Sequence, residues 1–345
     1  MALELAARST AFYLARSVPA LARRAASARP AAASVRASPI AVRAMASSTP
    51  SSPDDPVDFS RFKGATFEVP TDAKYTMADQ PARFAKGKAE NNARMLTTDY
   101  FDGSFLKDAR VLVTGGNRGI GLALVKELVA CGANVIVTCR KSNDEIDGMA
   151  PAVQVIEGVD VTDTESVKAM TRALDAPVDV LINNAGYFYE PVETIENMAF
   201  DEELKMIDIC AVGPLRVASA LYNAGLIAKP GGKIAMITSQ GGSVSWRVVQ
   251  NPTGHDFGHH MSKSAANMGG VLLAQELGPR GILVQMLHPG FNKTGMTKKY
   301  EHIWEVEGAV DASVGAKRVL HEIGLMTPER NGLFINCEDG LQIPW

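Results

Sequence analysis

Cysteines are few in this sequence, and it has no long apolar run. The 345 residues include four scattered cysteines with no C-x-x-C pair, so neither a disulfide framework nor a zinc site is expected. The cysteines are Cys131, Cys139, Cys210 and Cys337. The most apolar stretch, "LALVKELVACGANVIVTC", is interrupted by Lys126, Glu127 and Asn134, so no membrane span is expected.

Acidic residues are almost absent from the first fifty residues. Seven arginines and a single acid, Glu4, precede Asp54, among many alanines and serines. This composition is typical of an organelle transit peptide, so we expect residues 1–53 to be a disordered transit peptide and linker. Small-residue sites such as "VRAS" favour a chloroplast, with a mitochondrion as the alternative. A tail without function is the other interpretation of this segment.

The two parts of the chain differ in charge. Residues 1–53 carry +6, and since the whole chain carries −3 with neutral histidines, residues 54–345 carry −9. An acidic protein is a poor partner for nucleic acid or for an anionic membrane surface. We therefore expect neither as a partner.

Two regions of different pattern follow the linker. Residues 54–107 are polar with weak periodicity, and only "ARFAKGKAENNARML" (82–96) indicates a short helix. We expect this region to be an N-terminal extension packed against the main domain. From 108 to 345, short apolar runs alternate with helical periodicity, which predicts an α/β fold. The expected architecture is a single domain built on a doubly wound parallel sheet of the Rossmann type.

The alternation can be followed from one run to the next. Strands are predicted at "RVLVTGG", "NVIVTCR", "AVQVIEGVDVTD", "VDVLINNAG", "KIAMITS", "ILVQMLHPG" and "GLFINC". Helices are predicted at "GLALVKELVACG", "ESVKAMTRAL", around 200–228, at "SAANMGGVLLAQELG" and near 311–325. In such a sheet a nucleotide binds at the edge where the strands end.

A glycine-rich turn, "TGGNRGIG" (114–121), joins the first strand to the first helix. Gly115 permits a tight turn, Gly119 lets the backbone approach a pyrophosphate, and Gly121 lets the helix pack on the strand. The free N–H groups and the dipole at the start of the helix favour phosphate. The turn therefore predicts a dinucleotide site.

The second strand lacks the acid that usually ends it in NAD-binding proteins. It ends in "TCRK", which contains Arg140 and Lys141, and Arg118 lies inside the glycine-rich turn. Guanidinium groups suit the 2′-phosphate of NADP(H), so NADP(H) is the expected cofactor. The alternative is that these are solvated surface side chains.

Several motifs, in the right order, make residues 108–345 resemble the short-chain dehydrogenase/reductase family. They are "TGGNRGIG", "DVTD" (160–163), "NNAG" (183–186), "MSK" ending at Lys263, and "HPG" (288–290). "VGPLRVASAL" and the terminal "DGLQIPW" are most similar to the C-factor-like, or sniffer-type, carbonyl reductases. The resemblance implies a small carbonyl substrate and a homodimer or homotetramer. The cofactor site that it implies consists of Thr114, Gly115, Asn117, Arg118, Gly119, Ile120, Gly121, Arg140, Asp160, Val161, Asn184, Ala185, Gly186, Lys263, Pro289, Gly290 and Thr294.

Two of the four catalytic positions of that family are changed. The resemblance assigns Ser239 to the serine that holds the substrate oxygen, and Lys263 to the lysine that binds the nicotinamide ribose. The position of the proton-donating tyrosine is His259, within "FGHHMSK", and the asparagine of the proton relay is Cys210. An imidazole, with a reference pKa of about 6.5, could serve as the acid, although Lys263 would lower that pKa and the ring reaches less far than a phenol. A side chain without a role in proton transfer is the alternative for His259, and a small buried residue is favoured for Cys210.

Two functions follow from these residues. The first is an NADP(H)-dependent oxidoreductase that reduces a small carbonyl or enone, and the second is a non-catalytic NADP(H)-binding protein, a redox sensor or scaffold. A metal site formed by His255, His259 and His260 is not expected, because Gly254 and Gly258 argue against one regular helix presenting them.

Overall fold

The protein is described by a computed structural model over residues 74–345. The expected transit peptide and linker, and residues 54–73 of the expected extension, lie outside the described residues. No helix within residues 74–345 combines the length and the apolar character that a membrane crossing requires.

Seven parallel strands form the central sheet. They are β1 (Arg110–Thr114), β2 (Asn134–Cys139), β3 (Val153–Glu157), β4 (Val180–Asn183), β5 (Lys233–Ile237), β6 (Leu283–His288) and β9 (Phe334–Asn336), with β7 (Asn292–Lys293) and β8 (Val310–Asp311) in a separate pair. The order across the sheet is β3-β2-β1-β4-β5-β6-β9, and every neighbouring pair is parallel. The order reverses between β1 and β4, which creates the crevice where a nucleotide binds in folds of this type. The predicted doubly wound parallel sheet is confirmed.

Helices cover both faces of this sheet. They are α1 (Gln80–Ala89), α2 (Ala93–Leu96), α3 (Gly119–Ala130), α4 (Asp144–Asp147), α5 (Thr164–Arg172), α6 (Phe200–Ile207), α7 (Gly213–Asn223), α8 (Arg247–Gln250), α9 (Phe257–Leu277), α10 (Trp304–Glu307) and α11 (Ala312–Gly324). β1 shows why its residues form a central strand: Val111 and Val113 pack into one core cluster and Leu112 into the other. A strand buried on both faces is a continuous apolar run rather than an alternating one.

Two predicted helices differ from the structure. The helix expected around 200–228 is α6 and α7 joined by a π-helical turn, Asp208–Val212, and it ends at Asn223. Helix α9 begins at Phe257, well before the predicted "SAANMGG" start, so Gly258 lies inside it. A Cβ atom at Gly258 would lie 2.3 Å from Met206 Cε, so glycine is required there for the close packing of α9 against α6. Gly258 therefore does not interrupt the helix, contrary to expectation, but His255 precedes α9, so no single helix presents His255, His259 and His260.

The described part of the extension packs against the C-terminal end of the chain. Asp79 caps α1 by accepting a hydrogen bond from Ala82 N at 2.9 Å. The backbone at Thr76 pairs with Gln342, whose carbonyl accepts from Thr76 N at 2.9 Å. The short helix expected within 82–96 is present as parts of α1 and α2.

Candidate active site

The glycine-rich turn is held against the end of β4 by a set of hydrogen bonds. Thr114 Oγ1 accepts from the backbone N–H groups of Asn184 and Ala185, each at 3.0 Å. Asn184 Nδ2 donates to the carbonyl oxygens of Thr114 and Gly115 at 3.0 and 3.1 Å. A Cβ atom at Gly121 would lie 2.2 Å from Gly115 O, so only glycine fits there. These contacts fix the loops after β1 and β4 on either side of the crevice.

The start of α3 is open toward that crevice. Arg118 precedes the helix, and its side chain forms no capping hydrogen bond within the described residues. The N–H groups of the first turn, which contains Gly119 and Ile120, are therefore available to an anion. Gly119 has φ +55°, and a Cβ atom there would lie 3.9 Å from Thr294 Cγ2. The structure thus brings Thr294 next to the turn, and the arrangement fits a pyrophosphate.

Basic side chains lie at the adenine end of the crevice. Asn117 Nδ2 donates to Lys141 O at 2.9 Å, which ties the glycine-rich turn to the loop after β2. Arg118 and Arg140 are both exposed. Near them, the pKa of Asp160 lies below its ordinary value, first because the Thr162 N–H donates to its carboxylate and also because Arg140 is close. Arg118 and Arg140 are thus accessible to a phosphate on the ribose.

Residues Asp160 and Val161 follow β3, at the same edge of the sheet. Val161 O accepts a hydrogen bond from Arg216 Nη1 at 3.0 Å. Gly186 follows β4, and a Cβ atom there would lie 3.9 Å from both Cys210 Sγ and Met296 Cε. These residues line the crevice on the two sides of β1, as a cofactor that spans the switch point requires.

Ser239, His259 and Lys263 meet where β5 ends. Ser239 Oγ accepts from Gly241 N at 3.0 Å, and Lys263 Nζ donates to Ile237 O at 3.4 Å. A Cβ atom placed on Gly241 would lie 3.1 Å from His259 Nε2 and 3.2 Å from Ser239 Oγ. The hydroxyl and the imidazole therefore border the same point beside the turn. Because residues 259 and 263 are one helical turn apart, α9 presents both side chains on one face.

The imidazole of His259 is uncharged at neutral pH. Its ring packs on Phe188 with centroids 4.3 Å apart, and its Nδ1 atom is buried without a hydrogen-bond partner in residues 74–345. Burial, and secondly Lys263, hold the pKa of His259 well below its usual value. Lys263 lowers the pKa of His259, as expected, but burial lowers it more. A neutral imidazole can accept a proton or donate a hydrogen bond, but it is a weak acid.

The other two histidines have partners of their own. His260 Nδ1 is 3.0 Å from Gly241 O and its Nε2 is 3.1 Å from Asn251 Nδ2, while His255 Nδ1 is 3.0 Å from Asp256 Oδ2. Burial lowers the pKa of His260 to about 4. Within residues 74–345, no group of three or more His, Cys, Asp or Glu side chains is arranged to hold a metal ion.

Cys210 binds the loop that follows "NNAG". Its Sγ accepts from Tyr187 N and donates to Tyr187 O, both at 3.4 Å, and the residue is 3% exposed. It lies in the π-helical turn between α6 and α7. The thiol thus holds the crevice wall in place.

The segment after β6 covers the site. Gly290 has φ +85°, and a Cβ atom there would lie 2.7 Å from Glu338 Cγ, so the Pro289–Gly290 turn requires glycine. Farther along, Lys299 Nζ donates to Tyr189 O at 3.0 Å and to Asp256 Oδ1 at 3.1 Å. The same ammonium group lies 3.7 Å from the centroid of the Phe188 ring.

Several of these functional contacts were missed by sequence reasoning. Phe188 and Lys299 were not singled out, although the aromatic run "YFY" directly after "NNAG" was a signal for the first of them. Asp256 was also missed, and nothing in its sequence neighbourhood marks it.

Comparison with known proteins agrees with this geometry. Residues 109–303 match the short chain dehydrogenase family. The chain is 30% identical over 240 residues to the 1-hydroxy-2-glutathionyl-2-methyl-3-butene dehydrogenase of Rhodococcus sp. (strain AD45). This alignment covers 68% of this chain and 99% of that protein. It resembles the structure of the carbonyl reductase Sniffer of D. melanogaster with a TM-score of 0.58 and 25% identity, over 69% of this chain and all of that chain (100%). The NADPH-bound carbonyl reductase from chicken fatty liver gives a TM-score of 0.59 and 26% identity, over 70% of this chain and 100% of that chain. The chain belongs to the short chain dehydrogenase family.

Proposed function

We propose that the protein is an NADP(H)-dependent oxidoreductase that reduces a small carbonyl or enone substrate. The observation that carries this proposal is the meeting of Ser239, His259 and Lys263 at the end of β5, on the sheet edge that also carries the glycine-rich turn. The expected transit peptide supports an organelle as its location, with the chloroplast first.

NADP(H) is the cofactor that the site accommodates. The glycine-rich turn and the open start of α3 would hold the pyrophosphate, and Arg118 and Arg140 would hold the 2′-phosphate. The family resemblance assigns the binding of the nicotinamide ribose to Lys263, whose Nζ donates to Ile237 O at 3.4 Å. When bound, NADPH supplies a hydride to the carbonyl carbon.

Ser239 is oriented to hold the substrate oxygen. Because its Oγ accepts from Gly241 N, its own proton remains available to a carbonyl oxygen. His259 Nε2 borders the same point and would donate a second hydrogen bond. Transfer of that hydride to the carbonyl carbon and of a proton to its oxygen would give an alcohol and NADP⁺. Since His259 is neutral and its Nδ1 atom is buried, we propose that a water gives the proton directly to the substrate oxygen, while His259 only donates the hydrogen bond.

A non-catalytic NADP(H)-binding protein is the second candidate. The neutral, buried state of His259 and the thiol of Cys210 at the relay position favour it. Both candidates require the cofactor cradle, so cofactor binding alone does not distinguish them.

The test compares the wild type with His259→Tyr in NADPH-dependent reduction of aldehydes and quinones. A phenol there would reach farther toward the oxygen held by Ser239, and Lys263 would lower the phenol pKa. Acid–base catalysis contributes about 10² to 10⁴ in rate, so the gain should be readily measured. Adding Cys210→Asn should raise turnover further if the proton relay is the second missing part. His302→Tyr, on the exposed covering segment, is the control.

Three outcomes are informative. Brisk wild-type turnover that His259→Tyr abolishes would make histidine the working acid and refute the water-linked route. If neither protein turns over any carbonyl while both bind NADPH, the second candidate replaces the first. Lys263→Ala should weaken NADPH binding under either candidate, and an unchanged affinity would refute its proposed role.

A further inference from the structure

Arg83 of the extension reaches into the site from outside the matched family region. It lies on α1, and its side chain is 4% exposed. One nitrogen, Nη2, donates to Glu338 Oε2 at 2.9 Å and to Gln240 Oε1 at 3.2 Å. The two acceptors belong to two different turns of the candidate active site.

Gln240 directly follows Ser239 and shares its turn. Ser239 caps the 3₁₀ turn Gln240–Gly242, and Gly242 N donates to Ser239 O at 2.8 Å. The Gln240 side chain is fixed at both ends by α1, since Oε1 accepts from Arg83 and Nε2 donates to Gln80 Oε1. A shift of this amide would therefore displace the Ser239 hydroxyl.

Glu338 supports the Pro289–Gly290 turn, which the family resemblance places beside the nicotinamide. Its Cγ is the atom that a Cβ at Gly290 would meet at 2.7 Å, and its Oε1 accepts from Phe291 N at 3.4 Å. Burial raises the pKa of Glu338, but Arg83 and the other cations around it outweigh burial, so the pKa stays below its ordinary value. The carboxylate is ionised, and its contact with Arg83 is a buried ion pair.

Stability alone is a weak reason for such a pair. Two buried charges lose their hydration, and a well-packed apolar pair is often as stable or more stable. The guanidinium of Arg83, however, holds two acceptors at defined positions, because Nη2 donates to both while Nη1 donates to Met77 O at 2.5 Å and fixes the plane of the group. One acceptor, Gln240, lies on the turn that follows Ser239, and the other, Glu338, supports the Pro289–Gly290 turn.

We propose that Arg83 is a positioning residue that holds these two turns in register through Gln240 and Glu338. The described extension is then a working part of the active site. This inference rests on the proposed function for its kinetic consequences, but its effect on cofactor geometry does not require turnover.

Four variants of the full chain test it: Arg83→Met, Arg83→Lys, Glu338→Gln, and the double variant Arg83→Met with Glu338→Gln. Lys86→Met is the matched control, because Lys86 lies on the same helix with a side chain 59% exposed. Each protein is measured for its thermal midpoint, for NADPH and 2′,5′-ADP affinity by fluorescence titration and competition, and for kcat and KM with an aldehyde.

We expect Arg83→Met to lower the thermal midpoint, because it leaves Glu338 buried without its ion pair. The double variant removes both charges and should recover the midpoint without recovering the site. A misplacement of about 1 Å can cost about 100-fold, so kcat should fall about 10- to 100-fold while KM changes little. NADPH should bind about tenfold more weakly, while 2′,5′-ADP, which lacks the nicotinamide, should bind as in the wild type.

Arg83→Lys separates charge from geometry. Lysine keeps the charge beside Glu338 but lacks the planar guanidinium that Nη1 anchors to Met77 O and whose Nη2 also reaches Gln240, so the midpoint should recover while kcat and NADPH affinity stay low. Full recovery of all three by lysine would overturn the role of Gln240. A double variant that equals the wild type in kcat and NADPH affinity, or that loses NADPH and 2′,5′-ADP affinity equally, would overturn the proposal. If the wild type shows no turnover, the proposed function fails, and the comparison of the two ligands still decides this inference.

Discussion

Two buried histidines should make the folded protein sensitive to acid. His288 ends β6 at 5% exposure, and His321 lies in α11 at 2% exposure. Burial lowers the pKa of each to about 4, with Arg94 and Arg330 adding to the effect at His321. At His288 the nearby Glu338 opposes burial without reversing it. Both side chains are neutral in the folded protein at pH 7.

Whether acid raises or lowers the stability depends on how the same histidines titrate in the unfolded chain. There each histidine takes up a proton at about pH 6.5, well above the pH at which the folded protein does so. Stability is therefore intact above about pH 6.5 and falls as the pH drops from about 6.5 toward about 4. A shift of about 2.5 pKa units, at about 1.36 kcal/mol per unit, limits the loss to about 3.4 kcal/mol per side chain. Between pH 7 and pH 5 we expect about 2 kcal/mol from each and about 4 kcal/mol from both, a large part of a total of about 5 to 15 kcal/mol.

Urea unfolding at pH 7 and pH 5, followed by far-UV circular dichroism, measures this loss. With a slope of about 1 to 3 kcal/mol per molar urea, the wild-type midpoint should fall by more than about 1 M from these two residues. Between pH 7 and pH 5, the free energy of unfolding of the double variant His288→Asn with His321→Phe should fall by about 4 kcal/mol less than that of the wild type. Phenylalanine keeps a ring against Tyr100, whose centroid lies 4.7 Å from that of His321. His302→Asn, at an exposed position, is the control, and a double variant as acid-sensitive as the wild type would refute the reasoning.

Three further predictions concern the cofactor and the location. Arg140→Ala should weaken NADPH binding about 10- to 100-fold and leave NADH binding unchanged, because a charge-assisted hydrogen bond contributes about 1.5 to 3 kcal/mol. Fluorescence titration of both nucleotides measures this, and equal loss for both would contradict it. Gly121→Ala should abolish NADPH binding or folding, since its Cβ would meet Gly115 O at 2.2 Å, whereas Gly295→Ala, with nothing within 4 Å, should be silent in both assays. Residues 1–60 fused to a fluorescent reporter should direct it to chloroplasts, and a cytosolic signal would refute the transit peptide.

The fold could be predicted because its signals are local. A strand such as β1 is apolar at its three central positions, Val111 to Val113, since both of its faces are covered, and a glycine-rich turn follows it directly. Helix limits were harder, because tertiary packing decides them. Gly258 has a poor intrinsic helix propensity, yet it lies inside α9, and its lack of a side chain lets α9 pack closely on α6, where a Cβ atom would lie 2.9 Å from Glu203 Cα.

The candidate site was predictable only in part, and for a related reason. The juxtaposition of His259 and Lys263 follows from a spacing of four residues on one helix, and that of Ser239 from the end of a strand. The contact of Arg83 with Glu338 joins residues 255 positions apart, and no periodicity carries such information. The contact of Phe188 with Lys299 is also long-range in sequence. It depends on where the segment after β6 folds, which the hydrophobic pattern of the sequence does not show.

The two proposed functions differ by the fate of one proton. The parts of the site that would hold a cofactor are largely backbone, and they depend on Gly121, where a Cβ atom would collide with the main-chain oxygen of Gly115. The positions at which the family resemblance expects proton transfer hold His259 and Cys210, and a buried imidazole resists the positive charge that a cationic acid must carry. A substitution in the glycine-rich turn would abolish NADP(H) binding and any activity together, so it would not distinguish the two proposed functions. A change at position 259 alters the proton supply and the packing on Phe188 but leaves the glycine-rich turn in place, so that position distinguishes a reductase from a protein that only binds NADP(H).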